Sequence, residues 1–188
     1  MKHIYLILAL SATALLATAQ NRIYVNPAAV GASTGLSWAD ALTDLHAALA
    51  LAQAGDEVWV ARGEYRPAAA DRNIYFAPKS GVRLLGGFAG TETDPGQRDW
   101  EANPAVLCGD IGAPSDSTDN SYTVVYLHEP DSATVLDGFV VCHGNADYTG
   151  LSPSRDPRKC GGGLYVMGED AEAYPAVRNC RFEHNTAR

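Results

Sequence analysis

The sequence has few large aliphatic side chains and no basic run beyond residues 155–159. Leu, Ile, Val and Phe make up about 19% of residues 20–188, close to the composition at which a large globular core becomes doubtful. The formal net charge of −8 over 188 residues is modest, however, and aromatic residues make up 9% of the chain, which argues against disorder. We therefore expect a folded chain with a narrow core. The acidic balance argues against a nucleic-acid partner, because phosphate binding needs clustered Lys and Arg.

Catalytic and metal-binding motifs of fixed spacing are also absent. The sequence contains no nucleophile elbow, no P-loop and no dinucleotide fingerprint. Its four cysteines show no CxxC spacing, which argues against zinc. Four cysteines allow three disulfide pairings, and the sequence alone does not choose among them.

The first 19 residues are typical of a secretory signal peptide. A positive start at residues 1–3 precedes an apolar run over residues 4–17, and residues 17–19 fit the small-x-small cleavage pattern. The run is shorter than the ~20 residues that span a bilayer, which argues against a membrane anchor. We therefore expect cleavage near Ala19, a secreted or cell-surface protein, no membrane span in the mature chain, and a compartment that permits disulfides.

One helix is predicted between Ser37 and Gly55, centred on residues 42–51. The Ser37 hydroxyl and Asp40 form an N-terminal capping signal, and Gly55 suits a left-handed position after the helix. Apolar residues recur at three- and four-residue spacing between them, at Trp38, Leu42, Leu45, Leu49 and Ala52.

Short strands separated by turn residues are predicted for the rest of the chain. They lie at residues 23–26, 58–60, 82–85, 106–108, 122–127, 135–136, 139–141, 163–166 and 177–182. Residues 136–146 also align with residues 177–187, with apolar positions in common and an Asn-containing turn followed by Ala. This internal similarity favours a solenoid over a sandwich or a barrel.

Several motifs follow one another after residue 19: IYVNPAAVGASTGLSWADALTDLHAALALAQAGDEVWVARGEY, GVRLLGGFAGTET with QRDW and LCGDIG, VLDGFVVCHGNA, CGGGLYV and VRNCRFEHNTA. In this order they resemble secreted right-handed parallel β-helix proteins of the pectin-lyase-like superfamily, many of them on Gram-negative cell surfaces. The last two motifs also resemble the GG-apolar and FxxN elements of chlamydial polymorphic outer-membrane protein repeats.

The resemblance implies an all-β fold, a right-handed parallel β-helix (solenoid) with an N-terminal capping α-helix. Residues 20–57 would form the first strand and the capping helix, and residues 58–188 the coils. The coils are expected to be incomplete at the C-terminus, because no capping element follows the FxxN element and a solenoid needs both ends protected. Asn185 would occupy a left-handed turn and stack its amide on its counterpart in the next coil.

Positions within such coils separate the cysteines. Cys108 and Cys180 are expected to be small core residues, whereas Cys142 takes an outward or corner position and Cys160 closes the polar loop that follows. A Cys142–Cys160 disulfide would tie that loop and contribute roughly 3 kcal/mol. The sequence is equally compatible with this pairing and with its absence.

The polar residues suggest no catalytic constellation. Each candidate acid or base has a turn or solvent-face explanation that we favour, and the candidates are Asp94, Asp99, Asp110, Asp137, Glu183, Arg181, His143 and His184. Asp137-Gly138 is typical of a turn, while His143 and His184 lie at comparable turn positions that would bring two imidazoles together. Trp100 and Tyr165, and Trp59 if it is exposed, would suit glycan stacking.

We therefore expect a secreted or cell-surface module for adhesion or glycan contact, on the cell envelope or outer membrane, with no catalysis and no cofactor in this segment. Its partners would be extracellular glycans or host and cell-surface components. Two alternatives stay open. The chain is either the N-terminal part of a polysaccharide lyase or other carbohydrate-active enzyme such as a glycoside hydrolase, where calcium would enter as a cofactor, or a structural surface spacer without a ligand.

Overall fold

A computed structural model describes residues 20–169 and 174–188, and the predicted signal peptide lies outside them. The helices of the described part are α1 (Leu45–Leu51) and two 3-10 helices, Pro95–Gln97 and Pro157–Lys159. Its strands are β1 (Arg22–Val25), β2 (Glu57–Ala61), β3 (Gly63–Tyr65), β4 (Arg83–Phe88), β5 (Ala105–Cys108), β6 (Val125–His128), β7 (Val135–Asp137), β8 (Phe139–Cys142), β9 (Asn145–Ala146), β10 (Leu164–Met167), β11 (Ala176–Arg178), β12 (Arg181–Glu183) and β13 (Thr186–Ala187). Across these residues, no helix is both long and apolar enough to cross a membrane.

The named strands pair in parallel and form four sheets. One sheet has the order β1-β2-β4-β7-β11, another has the order β12-β8-β5-β3, and two small sheets pair β10 with β6 and β13 with β9. The register places Leu136 beside Val177 and Val141 beside Phe182. Both pairs are also aligned in the internal similarity between residues 136–146 and 177–187.

The predicted fold class, an all-β right-handed parallel β-helix with a capping helix, is wrong. The structure is mixed, with 8% helix and 30% strand, and over the residues it describes the short parallel sheets are not closed and form no solenoid. Turn residues and two-residue alternation specify where a strand lies and which face it buries. They do not specify whether neighbouring sheets close on one another, which explains the error.

The helix also begins later than the sequence pattern predicts. Leu42 accepts a hydrogen bond from the backbone N–H of Asn26 and donates one to the carbonyl of Tyr24, at 2.8 and 2.9 Å. Because Leu42 thus pairs with the first strand, its backbone is not free to enter a helix. The N-cap is Asp44, whose side chain accepts from the backbone N–H two residues later.

The apolar residues form two clusters on opposite faces of the first sheet. Val58 and Val60 of β2 belong to the main cluster, together with the buried face of α1. Trp59 points the other way, into a second cluster with Leu85 and Phe88. Both faces of β2 are therefore buried. The few large apolar residues of the chain thus lie on strands that contribute side chains to both clusters.

A buried carboxylate organises the loop after β4. Glu92 accepts hydrogen bonds from the backbone N–H groups of Ala89, Gly90 and Thr91 at 2.6, 3.0 and 2.9 Å. Burial raises the pKa of Glu92, but these backbone hydrogen bonds together outweigh it and hold the pKa below its ordinary value. The carbonyl of Glu92 also accepts the indole N–H of Trp38 at 2.9 Å, so the loop is fixed to the second cluster.

We expect Glu92→Gln to lower the free energy of unfolding by about 1–2 kcal/mol at neutral pH. A depressed folded pKa means that the stabilisation is fully present above the unfolded pKa and is lost as the pH falls through the folded value. The difference between wild type and Glu92→Gln should therefore shrink below about pH 4.3. Urea unfolding between neutral pH and about pH 3 measures it. Glu101→Gln, at an exposed position, serves as the control. A difference in unfolding free energy between wild type and Glu92→Gln that stayed constant with pH would contradict the role of the Glu92 carboxylate.

Candidate functional site

A groove beside Trp100 is a concave surface with an exposed aromatic residue at its rim. Its volume is about 460 Å³, within the range of small-ligand sites. It lies between the segment before β5 and the loops and strands around β8 and β12. The lining residues are Trp100, Glu101, Pro104, Gly138, Phe139, Val140, Asn179, Cys180 and Arg181.

Local backbone geometry holds Trp100 at this groove. The backbone N–H of Asp99 donates to the carbonyl of Gly87 at 2.9 Å. The Asp99 carboxylate accepts hydrogen bonds from the backbone N–H groups of Glu101 and Ala102. Gly87 has φ +92°, and a Cβ there would lie 2.8 Å from the Cα of Trp100. Glycine is therefore required for this close approach, which places Trp100, a residue 36% exposed, at the rim of the groove.

An ion pair lies beside Trp100, next to the groove. Arg98 Nη2 donates to Asp137 Oδ2 at 2.6 Å, and the two side chains are only 12% and 9% exposed. Asn179 Nδ2 donates to the other carboxylate oxygen at 2.9 Å. The Arg98 guanidinium also lies 5.4 Å from the centre of the Trp100 ring, a cation–π distance. One carboxylate thus fixes two groove residues, Trp100 through Arg98 and Asn179 directly.

The charges around the groove largely neutralise one another. Arg181 pairs with Glu183 at 2.9 Å on the exposed face of β12, and Arg98 is neutralised by Asp137. The remaining carboxylate is Glu101, and the whole chain carries a formal charge of −8. The groove therefore offers an aromatic face, hydrogen-bonding groups and no excess positive charge, which suits a neutral polyhydroxylated ligand better than a polyanion.

Tyr165, the other predicted glycan contact, lies elsewhere. It stands on β10, where its ring stacks on Tyr126 of β6 at 5.5 Å and an interplanar angle of 10°. Its hydroxyl donates to the carbonyl of Arg155 at 3.2 Å. The structure thus separates Trp100 and Tyr165 into two surfaces, and it buries Trp59 completely, which removes Trp59 as a sugar platform.

Asn185 acts through its neighbours rather than by stacking on a second Asn. Its side-chain carbonyl accepts the backbone N–H of Gly144 at 2.9 Å, and its amide donates to the carbonyl of Val141 at 2.8 Å. The residue that corresponds to Asn185 in the preceding segment is Gly144, which lies between β8 and β9. The left-handed position expected of Asn185 is taken by His184, with φ 56°. Asn185 supplies backbone hydrogen bonds at the point where β8 ends.

The structure gathers two cysteines and a histidine at the end of β5 and β8. Cys108 and Cys142 are register partners on these neighbouring strands, and His143 Nδ1 lies 3.7 Å from the Cys108 sulfur. All four cysteines are free, and Cys160 instead lies near the carbonyl of Ser154. The predicted Cys142–Cys160 disulfide is thus not formed in the structure, because β-sheet register turns Cys142 toward Cys108. Cys108 is buried as expected, although outside the main apolar cluster.

The two thiols have opposite acidities. The hydrogen bond with the Cys142 thiol, joined by the backbone N–H of Asp110 and the His143 ring, lowers the pKa of Cys108 to about 6 against the opposing effect of burial. The same hydrogen bond and burial raise the pKa of Cys142. The shared hydrogen bond therefore makes Cys108 the more acidic of the two thiols.

The two histidines lie together, as their turn positions predict. The rings of His143 and His184 stack at 5.3 Å with an interplanar angle of 18°. Both residues have positive φ, 61° and 56°. Each follows directly after the last residue of its strand, β8 or β12, and these strands are paired neighbours, so the two rings lie side by side. The other predicted acids Asp94, Asp99 and Asp110 accept backbone N–H groups of their own loops.

Comparison with protein-family models, with curated proteins and with solved structures found no match for this chain.

Proposed function

We propose that this protein is a secreted or cell-surface module that contacts a neutral glycan through the Trp100 groove, without catalysis in this segment. The observation that carries the proposal is the exposed indole ring of Trp100 at the rim of a groove of about 460 Å³. Sugar rings present apolar C–H faces that pack on aromatic rings. Their hydroxyl groups donate hydrogen bonds to carboxylates and amide oxygens and accept hydrogen bonds from guanidinium and amide N–H groups.

The fixed position of the ring supports this function. Trp100 has its backbone held at Gly87 and its ring held beside Arg98, so little side-chain freedom is lost when a ligand binds. Glu101 and Arg181 stand on the two sides of the same groove, with acceptor and donor groups for hydroxyls. A rigid aromatic anchor between polar neighbours is typical of residues that dominate binding energies.

A glycan array followed by calorimetry on the best neutral oligosaccharide tests the proposal. We expect Trp100→Ala to weaken binding roughly 30-fold, because loss of a central aromatic anchor costs about 2 kcal/mol. Tyr165→Ala is the matched control, since this tyrosine lies outside the groove, and it should leave the affinity unchanged. Binding lost with Tyr165→Ala but retained with Trp100→Ala would move the site to the tyrosines of β6 and β10, and absence of any glycan ligand would refute the proposal.

The same protein tests the lyase alternative. A calcium-dependent release of unsaturated product from polyuronates, seen as a rise in ultraviolet absorbance, would support that alternative. We expect no such rise, because the two carboxylates beside the groove are engaged, Asp137 with Arg98 and Asn179 and Glu183 with Arg181. Among the described residues that line the groove, Glu101 is then the one acidic residue, whereas calcium takes several oxygen ligands. A rise that depended on Trp100 would show that the groove is catalytic.

A further inference from the structure

The sulfur atoms of Cys108 and Cys142 and a ring nitrogen of His143 all lie within 4.8 Å of one another. Two thiolates and an imidazole around Zn²⁺ at bond lengths of about 2.3 and 2.1 Å stand about 3.5–3.8 Å apart in tetrahedral geometry. The observed 3.7 Å between Cys108 Sγ and His143 Nδ1 already meets this value. A small rotation of the Cys142 side chain would complete the set.

The backbone fixes this arrangement. Cys108 and Cys142 are held side by side by the parallel register of β5 and β8, and the Gly109 N–H donates to the carbonyl of Cys142 at 2.7 Å. A Cβ on Gly109 would lie 2.6 Å from the carbonyl oxygen of His143, so glycine permits the close approach of the two strand ends. The positive φ of His143 then turns its ring toward the Cys108 sulfur. Ligands held by strand register and a tight turn are pre-organised for a metal ion.

The surroundings favour a cation. Both sulfurs are buried, and Glu183 is the register partner of Cys142 on β12. The His143 ring is partly exposed and packs on His184, which leaves a route for an ion to enter. The burial of both thiols argues against a role in surface redox chemistry, which needs an accessible thiolate.

We propose that Cys108, Cys142 and His143 form a binding site for a thiophilic divalent cation of the Zn²⁺ type. Three protein ligands leave a fourth coordination position for water, as in open zinc sites. Binding releases the thiol protons, because thiolate is the ligand. His184 is a positioning residue that orients the His143 ring by stacking. The site is separate from the Trp100 groove and does not depend on the proposed glycan function.

The test uses the reduced full chain, titrated with Co²⁺ as a spectroscopic probe and with Zn²⁺ in competition with a chromophoric chelator. We expect one equivalent of Co²⁺ with thiolate-to-cobalt charge-transfer absorption, displaced by Zn²⁺. Cys108→Ser and His143→Ala should each weaken Zn²⁺ binding at least 100-fold, and His184→Ala roughly 10-fold, as for outer-shell residues. Cys160→Ser is the matched control, because this cysteine lies outside the cluster, and it should change nothing.

Three results would overturn the proposal. The first is a reduced wild-type chain that shows no charge-transfer band and binds no Zn²⁺. The second is equal loss of binding in Cys160→Ser, which would indicate adventitious thiol binding. The third is a Cys108–Cys142 disulfide in the isolated protein, found by peptide mapping, together with no metal binding after reduction. Circular dichroism of each variant identifies loss of folding. A rise in the melting temperature of the reduced wild type with added Zn²⁺ gives a readout that needs no substitution.

Discussion

Replacing Asp137 with alanine is expected to lower the free energy of unfolding by about 3–5 kcal/mol, because it leaves the buried Arg98 guanidinium without its counter-charge. The pair is well formed, with Nη2 of Arg98 2.6 Å from Oδ2 of Asp137 and with both side chains largely buried. Asn179 loses its acceptor at the same time. The cost comes from the stranded partner rather than from the pair itself, since replacing a whole buried pair with apolar residues is often neutral.

This origin of the cost predicts a rescue. A double variant, Asp137→Leu with Arg98→Met, should recover most of the stability that Asp137→Ala loses, but not glycan binding, because Trp100 then lacks the guanidinium beside its ring. The control is Arg181→Ala, whose ion pair with Glu183 is 68% and 38% exposed and should contribute less than about 1 kcal/mol. Urea unfolding followed by circular dichroism gives all three values. A loss within 1 kcal/mol for Asp137→Ala would contradict the buried-charge argument.

Asp137 also shows what the sequence predicts and what it does not. The dipeptide Asp137-Gly138 predicts a turn, and Gly138 indeed has φ +84°. The partner of the carboxylate, Arg98, lies 39 residues earlier, at a spacing that no local rule specifies. Turn chemistry is local, whereas the partner depends on which strands become neighbours.

The cysteine cluster was missed for a related reason. Zinc motifs are usually recognised from ligands close together in one segment, and Cys108 and Cys142 stand on different strands. A signal was nevertheless present: both strands end in Val-apolar-Cys, at residues 106–108 and 140–142, and a glycine follows within two residues. Two strands with the same pattern at the same end are good candidates for register partners, which brings their last residues together.

Most strands agree with the sequence prediction, because alternation and turn residues act within a few positions. The run predicted at residues 177–182 is divided into β11 and β12 by a left-handed Asn179. The helix start was wrong at Leu42 because pairing with the first strand overrides helical spacing. The closure expected from the resemblance was wrong because it depends on how separate sheets meet, which is a tertiary property.

Truncation of Trp59 is the second substitution with a large expected effect. Its ring is fully buried and stacks on Phe88 at 4.6 Å with an interplanar angle of 13°, while Tyr24 packs edge-on at 5.6 Å. Its indole N–H donates to Glu57 at 2.8 Å. Trp59→Ala removes the largest side chain of the second cluster and leaves a cavity between the first sheet and Trp38, so we expect a loss of about 3–5 kcal/mol.

Trp59→Phe separates the two contributions of the ring. Phenylalanine keeps most of the aromatic packing but cannot donate to Glu57, so its loss should be about 1–2 kcal/mol, the cost of a buried acceptor without its donor. Thermal and urea unfolding followed by circular dichroism avoid the change in fluorescence that removing a tryptophan causes. Equal losses for Trp59→Ala and Trp59→Phe would mean that the hydrogen bond, not the cavity, dominates. Tyr24, Trp59 and Leu85 are register partners on three adjacent strands, so the cavity would also loosen β1 and β4. In Trp59→Ala, the backbone amides of the loop held by Glu92 should therefore lose protection from hydrogen exchange before those of the Cys108 cluster do.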